Sequence, residues 1–264
     1  MENKVCFLTG SGSGNGRSMA LRMAELGYDI ALHHSGRDPQ SAEEIRSQIA
    51  ALGRRAEVFV EDLSQSGAAA RLFCQFAEKF DRLDIFVNNA GITRFSRIPE
   101  MTEEMYDQLM NIDLRAACFC IKEACLFMRE RGIKGSVVAI ASNHHSRLWL
   151  SAAAYGSAKE AMCRYVKYAA MEFCRDGIRV NCIAPGYIDR EYGQSDKTKE
   201  TFARISRTEI PMHRFVTSRE IADWTEFISS PAGLSLTGQT IDLDGGASIV
   251  GAAMQEYGLI LEEE

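Results

Sequence analysis

The chain has 264 residues, 46% of them hydrophobic and 25% charged, with a formal net charge of −6 at pH 7. That is enough for a sizeable globular core, and the negative balance argues against a surface built for duplex nucleic acid or anionic membrane. The first apolar run, VCFLTG, starts at Val5, which predicts no secretory leader ahead of it, and no apolar run reaches bilayer-spanning length. The 8 cysteines are scattered, mostly within apolar periodic segments, and read as reduced core thiols of a cytoplasmic protein. In CFCIKEAC, Cys118 and Cys120 stand two apart in a helical pattern and face different ways, so no metal site is expected there.

Short β-rich runs recur at 4–9, 28–34, 56–62, 83–89, 135–142, 178–185 and 240–246. Between them lie stretches of helical period, such as 16–27 and 41–53, and longer ones around 102–131 and 151–175. Such alternation predicts stacked βαβ units with a parallel sheet, in one α/β domain over 1–264. VVAIA fits a strand buried on both faces. The polar stretch 187–212 is the least regular region and is expected to be a substrate lid.

The first strand empties into Thr9-Gly10-Ser11-Gly12-Ser13-Gly14-Asn15-Gly16, and a helical pattern follows. Glycines let backbone approach a ligand closely, and the N–H groups of a helix start offer donors to a diphosphate. The loop is not G-x-G-x-x-G, because position 15 is Asn, and not a P-loop, because Arg17 follows Gly16; it matches T-G-x-x-x-G-x-G. A flexible Gly/Ser turn is the competing reading, and the position directly after a strand favours the nucleotide.

An NAD site carries an acid at the end of the second strand, where it accepts from the ribose hydroxyls. Here the run is Leu32-His33-His34-Ser35-Gly36-Arg37; His34 holds that position, and Arg37 is near enough to meet a 2′-phosphate. The reading leans to NADP(H), with NAD(H) possible. Asp38 argues the other way, and Arg37 as a solvated loop charge remains open. The His33-His34 pair is not read as a metal site.

In AAAYGSAKEAM (152–162), Tyr155 and Lys159 lie four apart, on one face of a helix. A phenol with a pKa of about 10 is a sluggish acid and a poor base at neutral pH, and a fixed positive charge beside it stabilises the phenolate. Each residue also has a bland reading, as packing aromatic or solvated charge.

The ordered set resembles the short-chain dehydrogenase/reductase family in its compact form, over roughly residues 4–250. It comprises the glycine loop, Asp62 after strand three, Asn88-Asn89-Ala90-Gly91 after strand four, Asn111, Ser142, Tyr155-x-x-x-Lys159, Pro185-Gly186 and Asp244-Gly245-Gly246, with Ser142 placed 13 residues before Tyr155. The resemblance implies a Rossmann sheet of seven parallel strands in the order 3-2-1-4-5-6-7, with ligands outside the carboxyl ends of the strands. It implies a hydride exchanged between NAD(P)(H) and a secondary alcohol or ketone, with Tyr155 as acid/base. Lys159 would also hold the nicotinamide ribose, Ser142 would hydrogen-bond the carbonyl oxygen, and Asn111 would bend its helix and hold a water that links Lys159 to solvent. Cofactor contacts would come from Gly10, Ser13, Asn15, Gly16, His34, Ser35 and Arg37. Asp62 and Leu63 would sit at the adenine, Asn89-Ala90-Gly91 behind the cofactor, and Pro185, Gly186 and Ile188 at the nicotinamide.

The sequence departs from the family pattern at Asn15, usually apolar, at Ser13, often basic in NADP-preferring members, and at Arg190, where threonine is usual. Substrate contacts are expected from Ser142, His144, Tyr155, Tyr187, Arg94 and Arg190, with Asn143, His145 and Arg147 nearby. That cationic set suggests a polar, sugar-acid-like carbonyl. The alternative within the family is a 3-oxoacyl-thioester (acyl-carrier-protein) reductase, for which a basic patch would speak and a net charge of −6 does not. A catalytically inactive NAD(P)-sensing regulator is the alternative outside enzymes. Helices 102–131 and 151–175, rich in Ala, Cys and Met on more than one face, call for a second partner, and the resemblance implies a homotetramer.

Overall fold

The computed structural model describes residues 3–189 and 196–250. Its main sheet has seven strands, all neighbours parallel: β1 (Val5–Leu8), β2 (Asp29–His34), β3 (Ala56–Val60), β4 (Ile85–Asn88), β5 (Ser136–Ile140), β6 (Arg179–Pro185) and, last in the chain, β9 (Thr240–Leu243). The spatial order is β3-β2-β1-β4-β5-β6-β9. This is the expected order; the seventh strand takes a later number because β7 (Ile188–Asp189) and β8 (Val216–Thr217) form a separate two-stranded pair.

The side-chain alternation of a strand explains the two cores. In β1, Val5 and Phe7 point to one face of the sheet, and Cys6 and Leu8 to the other. The Phe7 face packs on α3 (Ala68–Ala77), α5 (Ala117–Glu130) and α6 (Ala153–Phe173). There the Phe7 ring stacks on Phe76 with centroids 4.7 Å apart and meets Phe86 edge-on. The Leu8 face packs on α1 (Gly14–Glu25), α2 (Pro39–Ala51) and α8 (Ser218–Ser229). Thr217 and Glu220 form a reciprocal capping box at the start of α8.

A long helical rod precedes β5: α4 (Glu103–Met110), a π-helical stretch Asn111–Ala116, and then α5. The wider π turn changes the helical phase, and such turns occur often at functional sites. Within the stretch expected to be irregular, α7 (Asp196–Glu209) is helical. The chain leaves β3 on one side of β1 and enters β4 on the other, so the strand order reverses there and a crevice opens at the carboxyl ends. Among the described residues no helix is long and apolar enough to cross a membrane. All eight cysteines are free; Cys6, Cys120, Cys125, Cys163 and Cys182 are buried as expected, whereas Cys74 and Cys174 are exposed.

Candidate active site

A cleft of about 960 Å³ occupies that crevice, running from the glycine loop to Tyr155. Its floor is main chain locked by side chains. Thr9 Oγ1 accepts from the Asn89 and Ala90 N–H groups, each at 3.0 Å, and Asn89 Nδ2 donates to the carbonyls of Thr9 and Gly10. Gly10 has φ +64°, and a Cβ there would meet Ala90 Cα at 2.8 Å. A Cβ at Gly16 would collide with the Gly10 carbonyl oxygen. The loop can only be this tight without side chains, which exposes the N–H groups at the start of α1.

His33, which sequence reasoning set aside, completes the lock. Its Nδ1 accepts from the Gly10 N–H at 3.1 Å, and its Nε2 lies 2.9 Å from the Glu61 carbonyl. The two contacts together require the tautomer protonated at Nε2. Burial pushes this imidazole down to about 4, so it is neutral at pH 7. Ser41 Oγ also donates to the Gly12 carbonyl at 2.6 Å.

The expected cofactor residues Gly10, Ser13, Asn15, Gly16, His34, Ser35, Arg37, Asp62, Leu63, Asn89, Ala90, Gly91, Pro185, Gly186 and Ile188 all line this cleft. Asn15 Oδ1 accepts from Ser218 Oγ at 2.8 Å, which ties the glycine loop to the start of α8 and accounts for a polar residue where an apolar one is usual. Asp38 caps α2 by accepting from the Ser41 N–H. Hydrogen bonds from Ser64, with smaller contributions from Gln65 and the Arg37 charge, hold the Asp62 carboxyl below its usual range.

The opposite wall is made of side chains from the segment just after β5 and from α6. Ser142, Tyr155 and Lys159 line the cleft together. Lys159 is 5% exposed; its Nζ lies 3.4 Å from the Ile140 carbonyl and 5.5 Å from the centre of the Tyr155 ring. Burial pulls the Lys159 ammonium down, but its interactions with Tyr155 and Asp113 outweigh this and hold it above the usual lysine value. Ser142 Oγ is 3.0 Å from His144 Nδ1. The His144 ring stacks on Phe95 and meets Tyr155 edge-on at 5.5 Å. Burial, then the Arg147 charge, push His144 below the usual imidazole value. Tyr187 lines the cleft, stacks on Phe215 and donates from its hydroxyl to Glu209 at 3.0 Å.

Of the expected residues, Asn111 and Arg94 do not line this cleft. Asn111 opens the π stretch, but the side chain that reaches Lys159 is Asp113, with Oδ1 3.1 Å from Nζ. Arg94 lines a separate small pocket with Met101 and Met105, because in extended chain Thr93 and Phe95 turn into the cleft and the residue between them turns away. Arg190 lies outside the described residues, as does part of the expected lid. The residues that sequence reasoning missed are thus Asp113, His33 and Phe95. Among the described residues no cluster of three His, Cys, Asp or Glu is arranged to hold a metal ion.

A crevice at a topological switch point, with a glycine-loop floor and a phenol–ammonium wall, defines a Rossmann-type oxidoreductase. Residues 10–248 match the family model described as enoyl-(acyl carrier protein) reductase. The chain is 32% identical over 246 residues to 3-oxoacyl-(acyl-carrier-protein) reductase FabG of Staphylococcus aureus, covering 92% of this chain and 97% of that one. It is 31% identical over 259 residues to short chain dehydrogenase/reductase astE of Aspergillus oryzae, covering 95% and 97%. The crystal structure of acetoin dehydrogenase YohF from Salmonella typhimurium is similar with a TM-score of 0.84 at 30% identity, covering 95% of this chain and 98% of that one. The chain therefore belongs to the short-chain dehydrogenase/reductase family, oxidoreductases that act on CH–OH or carbonyl groups with NAD(P)(H).

Proposed function

We propose that this enzyme exchanges a hydride between NADP(H) and a neutral, polar secondary alcohol or its ketone, with Tyr155 as the acid/base. The convergence of Ser142, Tyr155 and Lys159 on one wall of the dinucleotide-sized cleft carries this reading. The glycine loop, Asp62, Leu63 and Ile188 would hold the cofactor, and Arg37 would meet its 2′-phosphate. Asp38, the nearest acid, is engaged as a helix cap, which supports NADP over NAD. When bound, the nicotinamide supplies or accepts the hydride. Tyr155 gives its phenolic proton to the carbonyl oxygen during reduction, and Lys159 stabilises the negative charge left behind. Ser142 donates to the same oxygen; a His144 protonated at Nδ1 donates to Ser142 Oγ and leaves the seryl hydrogen free for substrate.

Among the described residues of the cleft the lysines and arginines are Lys159 and Arg37. Arg147 is drawn to Glu209, and Arg94 lines the other pocket. Arg94 and Arg147, two of the cations that pointed to a sugar acid, are engaged away from the cleft, and the aromatic enclosure of Phe95, His144 and Tyr187 suits a neutral hydroxyketone or polyol, in keeping with the similarity to an acetoin dehydrogenase. The similarity to FabG of S. aureus favours a 3-oxoacyl thioester as the second reading. Initial rates at 340 nm with hydroxyketones, polyols, sugar acids and 3-oxoacyl thioesters, each with both cofactors, separate these. Highest kcat/KM with a hydroxyketone or polyol and the 2′-phosphorylated cofactor is expected; highest kcat/KM with the thioester or a sugar acid overturns the substrate class.

We further propose a homotetramer. Phe119, Tyr168 and Met171 on α5 and α6 are exposed apolar side chains, as expected of helices that pack on another copy. Light scattering at micromolar concentration should give the mass of four chains; a monomer would contradict this.

A further inference from the structure

Asp113 is 1% exposed, lines the same cleft as Tyr155, and sits 3.1 Å from Lys159. Its other oxygen, Oδ2, accepts from the Ile92 N–H at 2.9 Å, which anchors the carboxylate to the loop after β4. Gly91 leaves room for it: a Cβ there would meet Asp113 Oδ1 at 2.8 Å and Lys159 Nζ at 3.4 Å. The sequence analysis names Asn111 as the residue linked to this lysine through a water; the side chain in direct contact with it is the Asp113 carboxylate.

That carboxylate changes the charge of the reaction chamber. The groups facing Lys159 are Tyr155 and Cys163 on its own helix, Asp113 on the π stretch and the Ile140 carbonyl on β5. With an amide at position 113 the resident charge beside the phenol is +1. With Asp113 ionised, the Lys159–Asp113 pair is neutral. A buried pair a few ångströms from a ligand acts through a low dielectric, so one charge there is worth a measurable factor in binding. The oxidised nicotinamide ring carries a positive charge that the reduced ring lacks, and binding of the oxidised form is disfavoured by an uncompensated lysine.

We propose that Asp113 is a resident counter-ion of Lys159 that biases the site toward the oxidised dinucleotide, and hence toward alcohol oxidation. The proposal rests on the assignment of Tyr155 and Lys159 as the nicotinamide end of the cleft. Asp113 acts through Lys159 and is a positioning residue. Asp113→Asn preserves size and the acceptor for Ile92 N–H while removing the charge.

The test is equilibrium titration of purified enzyme at pH 7 with NADP+ and NADPH, followed by protein fluorescence and calorimetry. Asp113→Asn should raise the ratio Kd(oxidised)/Kd(reduced) about fivefold or more over the native ratio. The double variant Asp113→Asn, Lys159→Met, again neutral, should return the ratio to within about twofold of native even though both affinities fall. A merely structural carboxylate weakens both forms alike and leaves the ratio unchanged in Asp113→Asn, which would overturn the proposal. Should Asp113→Asn not fold, Asp113→Ser carries the same test: a raised ratio supports the counter-ion, and an unchanged ratio overturns it. A native enzyme that binds neither form would overturn this inference together with the proposed function, whereas tight binding with a charge-insensitive ratio would overturn this inference alone.

Discussion

The wall of the cleft beneath β1–β3 and the wall beneath β5 and β6 are held by different kinds of bonds. The first is main chain fastened to main chain, by way of Thr9, Asn89 and the His33 imidazole. It presents N–H groups and little side-chain chemistry, which suits a diphosphate carried by any dinucleotide. The second is side chain on side chain: Ser142 on His144, Lys159 on Asp113, Tyr187 on Glu209. It holds the charges and proton donors. The comparison teaches that the first wall is sensitive to shape and the second to charge, so substitutions on the two should fail in different ways.

The largest effect expected on the first wall comes from adding one carbon. Gly16→Ala places a Cβ against the Gly10 carbonyl oxygen and 2.8 Å from Asn89 Nδ2. Because the nearest atom is backbone, it cannot swing aside, and a loss of about 3 kcal/mol of stability is expected. Urea unfolding measures it; a loss below about 1 kcal/mol would show that the loop is looser than described here.

A smaller effect comes from charge placed within that same wall. His33 stands at about 4 in the folded chain, against about 6.5 when unfolded. Because the folded value is depressed, the unfolded chain binds the proton first. The stability held above pH 6.5 is therefore lost as pH falls towards 4. Between pH 7 and 4.5 this group alone should remove about 2 kcal/mol. His33→Phe should flatten that part of the pH dependence in urea unfolding, and an equal slope in both proteins would contradict the buried neutral imidazole.

The difference between the walls also sets what was legible in the sequence. Strands buried on both faces announce themselves as apolar runs, and the glycine loop as a motif, because both depend on local backbone. All seven strands of the main sheet and the glycine loop that floors the cleft were readable for that reason. Phase and direction of side chains were not. Asn111 and Asp113 are both short and polar, and nothing local shows that Asp113 is the one that meets Lys159. Arg94 and Phe95 are neighbours whose roles are set by which way an extended loop begins. The β7–β8 pair is too short to show a period. His33 read as half of an unconvincing metal pair, because nothing local shows that a glycine N–H awaits its Nδ1.

The account stands on Tyr155 as the proton carrier at a site whose cofactor wall is independent of it. Replacing Tyr155 by Phe removes one hydroxyl and leaves the glycine loop untouched. Turnover and dinucleotide affinity measured on the same Tyr155→Phe preparation test this most directly. Acid/base groups contribute about 10²–10⁴-fold, so a fall in kcat of about a thousandfold with cofactor Kd within about threefold of native is expected. A variant that keeps most of its rate would contradict the assignment, however well it binds the dinucleotide.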